Sequence, residues 1–188
     1  IDRPEALNRY EQRVHQIAAR MPRPDIAASA RERTSLALAT LHRELLTGEF
    51  DPACDSVALT LDQGRYNCVT ASLLFLELAR GLDLKCFVLH APRHVRVRIE
   101  DAAPFEVEPT CAACFEEGRL LAWSSPPRRI SPLALTGKLY YNRGVIALER
   151  RDYAAAIAAF DRSLALDHDD LQARHNLLAA LNNGALLL

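Results

Sequence analysis

The chain has 188 residues, 49% hydrophobic and 25% charged. That balance excludes wholesale disorder and fibrous repeats, and the length allows a buried core without staples. With 23 Lys and Arg against 24 Asp and Glu, the formal net charge is −1, so no basic excess marks a nucleic-acid partner. The apolar runs fall short of the roughly 20 residues that a membrane helix needs. Five cysteines, an odd number, do not make a disulfide framework. The chain opens on Ile1 rather than Met, which leaves the compartment open between cytoplasm and periplasm.

The first stretch, Asp2 to about Leu46, predicts two helices. Pro4 suits a helix start, and Leu7, Tyr10, Val14, Ile17 and Ala18 follow at helical spacing. Pro22 and Pro24 interrupt. A second helix is expected from about Asp25, with Ile26, Ala30, Leu36, Leu38, Leu41 and Leu45 as its apolar content and Gly48 as its cap.

The second stretch runs from about Phe50 to Ser131. A turn-rich lead, Asp62 to Asn67, opens a helix that starts near Cys68, carries Leu73, Leu74, Leu76 and Leu78, and ends at Gly81. Leu84 to Ala91 reads as a central strand. His94 to Glu100 alternates strictly, the signature of a half-buried strand. A shorter run, Pro104 to Thr110, can pair with it. Ala113 to Ser131 reads as loop, punctuated by Ser124-Ser125-Pro126-Pro127.

The third stretch, about Pro132 to Leu188, is helical and ends in a greasy Ala185 to Leu188. Tyr140, Gly144, Tyr153, Ala156 and Phe160 take positions that resemble a tetratricopeptide repeat, a helix–turn–helix unit. The likeness covers Tyr140 to Asp170. It departs where Arg151 stands for a usual Gly, Ser163 for a usual Ala and His168 for a usual Pro. A partial second copy starts at Leu171. Such repeats do not stand alone singly, so this one is expected to lean on the second stretch and to offer a surface for a protein partner.

Chemistry concentrates in the second stretch. Cys68 follows Asn67, a good N-cap type, at the start of an apolar helix. Free backbone N–H groups and the positive helix end there favour a thiolate, the nucleophilic form. The competing reading is a small buried hydrophobe. His94 opens the alternating strand on its polar face and can exchange a proton with such a thiol. His90, in a more apolar run, is the rival base. Glu108 on the next strand can accept the other imidazole N–H and fix the tautomer. Glu106 shares its face, and spacing alone does not choose between them. The backbone N–H of Cys68 is a natural oxyanion donor, with Gln63 and Asn67 as weaker contributors. Arg96 and Arg98, on the face of His94, form either a cationic rim for substrate or a plain solvated face, with Arg65 and Arg93 nearby. Cys111 and Cys114 form a C-x-x-C with three readings: structural thiols, a disulfide, or half of a metal site. Trp123 reads as packing over the loop. No phosphate loop, nucleotide fingerprint or secure metal cluster is present, so neither cofactor nor metal is expected.

Three segments together resemble the transglutaminase-like branch of the papain-like cysteine enzymes: Gly64 to Ser72, Ala91 to Val97, and Val107-Glu108-Pro109-Thr110. The likeness covers Asp51 to Cys111, and joined to a tetratricopeptide-like tail it matches an order found in bacterial proteins. It implies an α+β fold, with a helix packed on a small antiparallel sheet, in residues 1–131, followed by the repeat region, 132–188. It also implies Cys68 as nucleophile, His94 as base and acid, and Glu108 as orienting carboxylate. Glu108 stands where that family usually has Asp. The implied activity is a cysteine protease or amidase working through a thioester on a peptide or protein substrate. The alternatives are transfer to an amine, or a non-catalytic interaction module with a vestigial triad.

Overall fold

The computed structural model describes residues 4–22, 25, 27–115 and 120–186, with side chains in the first helix from Asn8 onward. Pro24, Ile26, Leu187, Leu188 and the side chain of Leu7, which entered the sequence reading, lie outside the described residues.

Helix α1 (Pro4–Arg20) turns Val14 and Ile17 inward. Helix α2 (Ala30–Glu44) begins later than the apolar pattern implied. Its start is set by a capping box, in which Ser29 Oγ accepts the Glu32 N–H at 3.2 Å and Glu32 accepts the Ser29 N–H at 2.7 Å. It ends at Leu45, so Gly48 is not its cap. The Gly48 N–H instead donates to the Gly64 carbonyl at 3.1 Å.

Helix α3 (Val57–Gln63), too short to show a period, runs into the start of the turn-rich lead at Asp62 and Gln63. It stops at Gly64, whose φ of 73° and close approach to Thr47 and Gly48 exclude a side chain. The following bridge, Phe50 to Tyr66, delivers the chain to helix α4 (Cys68–Gly81).

Four strands form one antiparallel sheet in the order β3-β2-β1-β4: β1 (Cys86–Ala91), β2 (His94–Ile99), β3 (Phe105–Val107) and β4 (Arg128–Ile130). Strand β1 is central, as its apolar run implied. Strand β4 corrects the reading of Ala113 to Ser131 as loop throughout. Three residues after two prolines carry no legible alternation, yet Val88 pairs with Ile130 and His90 with Arg128.

Helix α4 joins two apolar clusters. Ala71, Leu74, Phe75 and Leu78 meet α1, α2 and the Val97, Ile99 and Val107 face of the sheet. Val69 meets Val88, Val95, Ile130 and the start of α5 (Pro132–Glu149), through Leu135 and Leu139. The fold is thus α+β, with seven helices and one small sheet among the described residues.

Helices α5, α6 (Tyr153–Leu166) and α7 (Leu171–Ala185) complete the chain. A Cβ at Gly144 would sit 2.5 Å from the Phe160 ring, so only glycine lets α5 and α6 close. The hairpin leans on the sheet through Leu135 and Leu139. Two charge pairs add to this, Arg128 of β4 with Asp167 and Arg143 of α5 with Asp55 at 3.2 Å, while Lys138 pairs with Asp170 inside the repeat at 2.6 Å. No described helix is long and apolar enough to cross a membrane.

Two departures from the repeat pattern carry a structural cost. Arg151 holds φ at 60°, the left-handed region where a side chain is strained. Ser163 is fully buried, and its hydroxyl has no hydrogen-bond partner among the described residues. Arg151→Gly and Ser163→Ala are each expected to stabilise the protein by about 1 kcal/mol. Thermal melting checks this, with each variant rising by roughly 2–4 °C. A fall in either variant contradicts the account of that position.

Candidate active site

Asn67 builds the first part of the site. It is buried at the N-cap of α4, where its Oδ1 accepts the N–H groups of Val69 and Thr70 at 3.0 and 3.1 Å. Its Nδ2 donates to the carbonyls of Cys54 at 2.6 Å and Pro52 at 3.4 Å. The amide is therefore fully engaged as a cap and a tether. Cys68 is the first residue of the helix, half-buried and not in a disulfide. With Val69 and Thr70 satisfied by Asn67, the Cys68 N–H is left without a partner among the described residues.

His94 comes from the other side of a two-residue turn, Pro92-Arg93, between β1 and β2. Its Nε2 lies 2.6 Å from Glu108 Oε2. The Cys68 side chain lies beside the ring and favours its charged form, and Arg96 Nε also approaches Nε2, at 3.3 Å. The bonds to Cys68 and then to Glu108 raise its pKa to about 9, against the opposing effect of burial. Burial pushes the Glu108 carboxyl up, but hydrogen bonds from His94 and Thr110 and the His94 charge outweigh it and hold the group below the usual range.

Glu108 and Glu106 divide the work that spacing left open. Glu108 reaches His94, and its Oε1 accepts the Thr110 hydroxyl at 2.7 Å. Glu106 accepts Trp123 Nε1 at 3.0 Å and pairs with Arg96 at 3.3 Å and Arg98 at 3.7 Å. The turn after β3 is closed by the Cys111–Cys114 disulfide, with Glu108 N–H on the Cys114 carbonyl and Cys111 N–H on the Glu108 carbonyl. Of the three readings of the C-x-x-C, the disulfide is the one observed, and it leaves neither thiolate for a metal.

Arg96 departs most from its sequence reading. It is 4% exposed, so it is neither a rim nor a solvated face. Its guanidinium lies 3.5 Å from Glu108, donates to the Leu121 carbonyl at 2.6 Å, and stacks 4.4 Å from the Trp123 ring centroid. It lies beneath His94 and the two carboxylates, with Nε 3.3 Å from His94 Nε2. Trp123 was read only as packing, yet its ring lies 5.5 Å from that of His94. The signal that could have found this was Arg96 itself, a cation that needs a partner wherever it is covered.

Gln63 does not join the others. It is exposed at the end of α3 and does not line the cleft onto which Cys68 opens. Arg65 is tied to Asp51. His90 does line the cleft, but burial, with Lys138 and Arg128 nearby, lowers its pKa to about 4. It is neutral at pH 7 and too weak a base for the role sequence left open to it.

The cleft has a volume of about 690 Å³. Cys68, His94 and Asn67 form one side, and α5, with Tyr141, Asn142 and Ile146, forms the other. A thiol, an imidazole charged at neutral pH and a free helix N–H thus meet at an open cleft. Among the described residues, no group of three or more His, Cys, Asp or Glu side chains is placed to hold a metal.

The geometry is that of an α+β protein with a helix-borne thiol beside a carboxylate-held imidazole. Residues 137–170, which span α5 from its second turn through α6, match the tetratricopeptide repeat family, and this match covers a minority of the chain. No curated protein sequence matches the chain.

The His94 values set a pH window. The folded pKa lies above the ordinary 6.5, so the stability contributed by charged His94 is full below pH 6.5 and is lost as pH rises through about 9. The melting-temperature gap between wild type and His94→Gln is expected to be largest near pH 6 and to close by about pH 10. A gap that widens over that range contradicts the assignment. By NMR, the His94 ring is expected to titrate near 9, and to move toward 6.5 in Glu108→Gln.

Proposed function

We propose that the protein is a thiol-dependent acyl-transfer enzyme that hydrolyses a peptide or amide bond. The observation that carries this reading is His94, held by Glu108 at 2.6 Å and lying beside the Cys68 side chain on the same cleft. In this reading the transglutaminase-like resemblance describes the core, with a cysteine-bearing helix on a sheet that bears histidine and glutamate.

The chemistry follows from the roles. With His94 holding the proton as imidazolium, the Cys68 sulfur attacks the substrate carbonyl carbon and a C–S bond forms. The carbonyl electrons move to oxygen, where the Cys68 N–H at the helix start donates to the oxyanion. As the tetrahedral species collapses, the C–N bond breaks and His94 gives its proton to the leaving amine. The thioester is then attacked by water, from which His94 takes a proton. The C–S bond breaks, releasing the carboxylic acid and returning Cys68 and the protonated His94 to their starting state. Glu108 keeps the imidazole in the required tautomer throughout. The extra methylene of glutamate is accommodated because Glu108 lies in the turn past β3, where the Thr110 hydroxyl bends its carboxylate toward His94.

Water is the acceptor in this reading because the cleft is open. An amine reaching the same thioester would give transglutaminase-type transfer instead. The tetratricopeptide match supports a second role, in engaging a protein partner, which is compatible with catalysis.

Alkylation by iodoacetamide at pH 6 tests the core claim. Wild-type Cys68 is expected to react about 10–100-fold faster than Cys68 in His94→Ala. Equal rates would remove the physical basis of the enzyme reading. On any peptide found to be cleaved, Cys68→Ala is expected to abolish turnover, and Glu108→Gln to lower kcat by about 10²-fold or more.

A further inference from the structure

His90 is a polar side chain for which the mechanism has no use. It is 9% exposed, lines the cleft, and has no hydrogen bond to its ring among the described residues. Its ring nitrogens are open to the cleft rather than sealed, so they are free to hydrogen-bond a ligand there. Because it stays neutral, it offers one donor and one acceptor, the complement of a peptide group.

The rest of the cleft fits the same ligand. Asn142 and Gln172, both half-buried, add amide donors and acceptors on the far wall. Tyr141, Val145 and Ile146 supply apolar surface between them. The buried ammonium on the floor, Lys138, is cancelled by Asp170 at 2.6 Å. The His94 charge is held by Glu108 at 2.6 Å, and the other two charges, Arg93 and Glu149, are exposed at the margins and opposite in sign. A charged side chain entering here would lose hydration with no free counter-charge on the floor to receive it. The volume of about 690 Å³ lies in the range of ligand clefts and is continuous with Cys68.

We propose that the cleft binds an uncharged stretch of an extended peptide, with His90 hydrogen-bonding a peptide group of the ligand and the Tyr141–Ile146 face of α5 packing its apolar side chains. This deepens the acyl-transfer reading and rests on it for the identity of the peptide as substrate. The peptide would run between the thiol and the repeat, so that α5 selects which amide reaches Cys68.

The test is made in the full chain bearing Cys68→Ser, so that binding is read without thiol chemistry. Three dye-labelled hexapeptides serve as probes: Ala-Leu-Ser-Ala-Leu-Ser, and the same sequence with Asp or with Lys at both Ser positions. Fluorescence polarisation is expected to show the uncharged probe binding about tenfold tighter than either charged one. His90→Leu, which removes the ring donor and acceptor at similar size, is expected to weaken the uncharged probe about fivefold or more. Ile146→Glu, on a half-exposed helix face, is expected to do the same and guards against a fold defect at the central strand. Equal binding of all three probes, no binding of any, or unchanged binding in both variants overturns the proposal. Iodoacetamide labelling of wild-type Cys68, run alongside, reports the thiol chemistry separately. A reactive thiol without peptide preference defeats this inference alone, and a peptide preference beside an inert thiol defeats the acyl-transfer reading alone.

Discussion

Everything in the site hangs on the side chain of Asn67. Its oxygen takes two of the orphan N–H groups at the start of α4, and its nitrogen ties that helix end to the 52–54 segment. Losing an N-cap costs about 1 kcal/mol in an exposed helix. Here the cap is also buried, so its loss would strand several polar groups at once. Because Asn67 serves the second and third N–H groups, the first, that of Cys68, remains for a ligand. One residue therefore sets both the position of the sulfur and the donor beside it.

Beneath the imidazole lies a second constraint, the packing of charge around Arg96. A buried guanidinium faces Glu106 and Glu108 and is covered by Trp123. The guanidinium lies between the two carboxylates, 3.3 Å from Glu106 and 3.5 Å from Glu108. Glu106 is taken up by Arg96 and Trp123, which leaves Glu108 to pair with His94. The order Cys68, His94, Glu108 was legible in the sequence because each residue sits at a recognisable boundary: a helix start, a strand mouth, a strand end. The burial of Arg96 was not. Alternation says which side chains share a face, and it is silent on what lies over that face. Trp123 comes from a segment without period, so nothing local announced that it would close the polar side of β2.

The same distinction runs through the fold. Helix α4 and strands β1 and β2 were visible because each is long enough to show its period. Helix α3 and strand β4 are short, and neither shows a period; only β4 owes its form to a partner distant in sequence. Val57–Gln63 is fixed by Ser56 at one end and Gly64 at the other, and Arg128–Ile130 by its pairing with β1. The start of α2 was misplaced for a different reason. Its boundary is a capping box, Ser29 with Glu32, and counting apolar positions from Asp25 passed over it.

The attachment of the repeat explains why a cleft exists at all. Leu135 and Leu139 share an apolar cluster with Val88 and Val95 of the sheet, so α5 is as much part of the core as of the repeat. Apolar contact alone would tolerate sliding of α5 along the sheet. Two pairs that cross from the repeat to the other half oppose it, Arg143 with Asp55 and Arg128 with Asp167. Lys138 and Asp170 form a third pair within the repeat, almost fully buried at 4% and 3% side-chain exposure. Such a pair adds little net stability over apolar packing, but breaking it strands a buried charge at a cost of about 3–5 kcal/mol. Burial pulls the Lys138 ammonium below its usual range, and the bond to Asp170 opposes this. Asp170 in turn caps α7 through the N–H groups of Gln172 and Ala173. A shift of α5 against α7 would therefore unpair the lysine and uncap the helix together. That penalty makes α5 and α7 one body, and the Arg143–Asp55 and Arg128–Asp167 pairs set how that body faces Cys68. A single repeat too short to stand alone is thereby made into the rigid second wall of a site whose chemistry lies entirely in the other half of the chain.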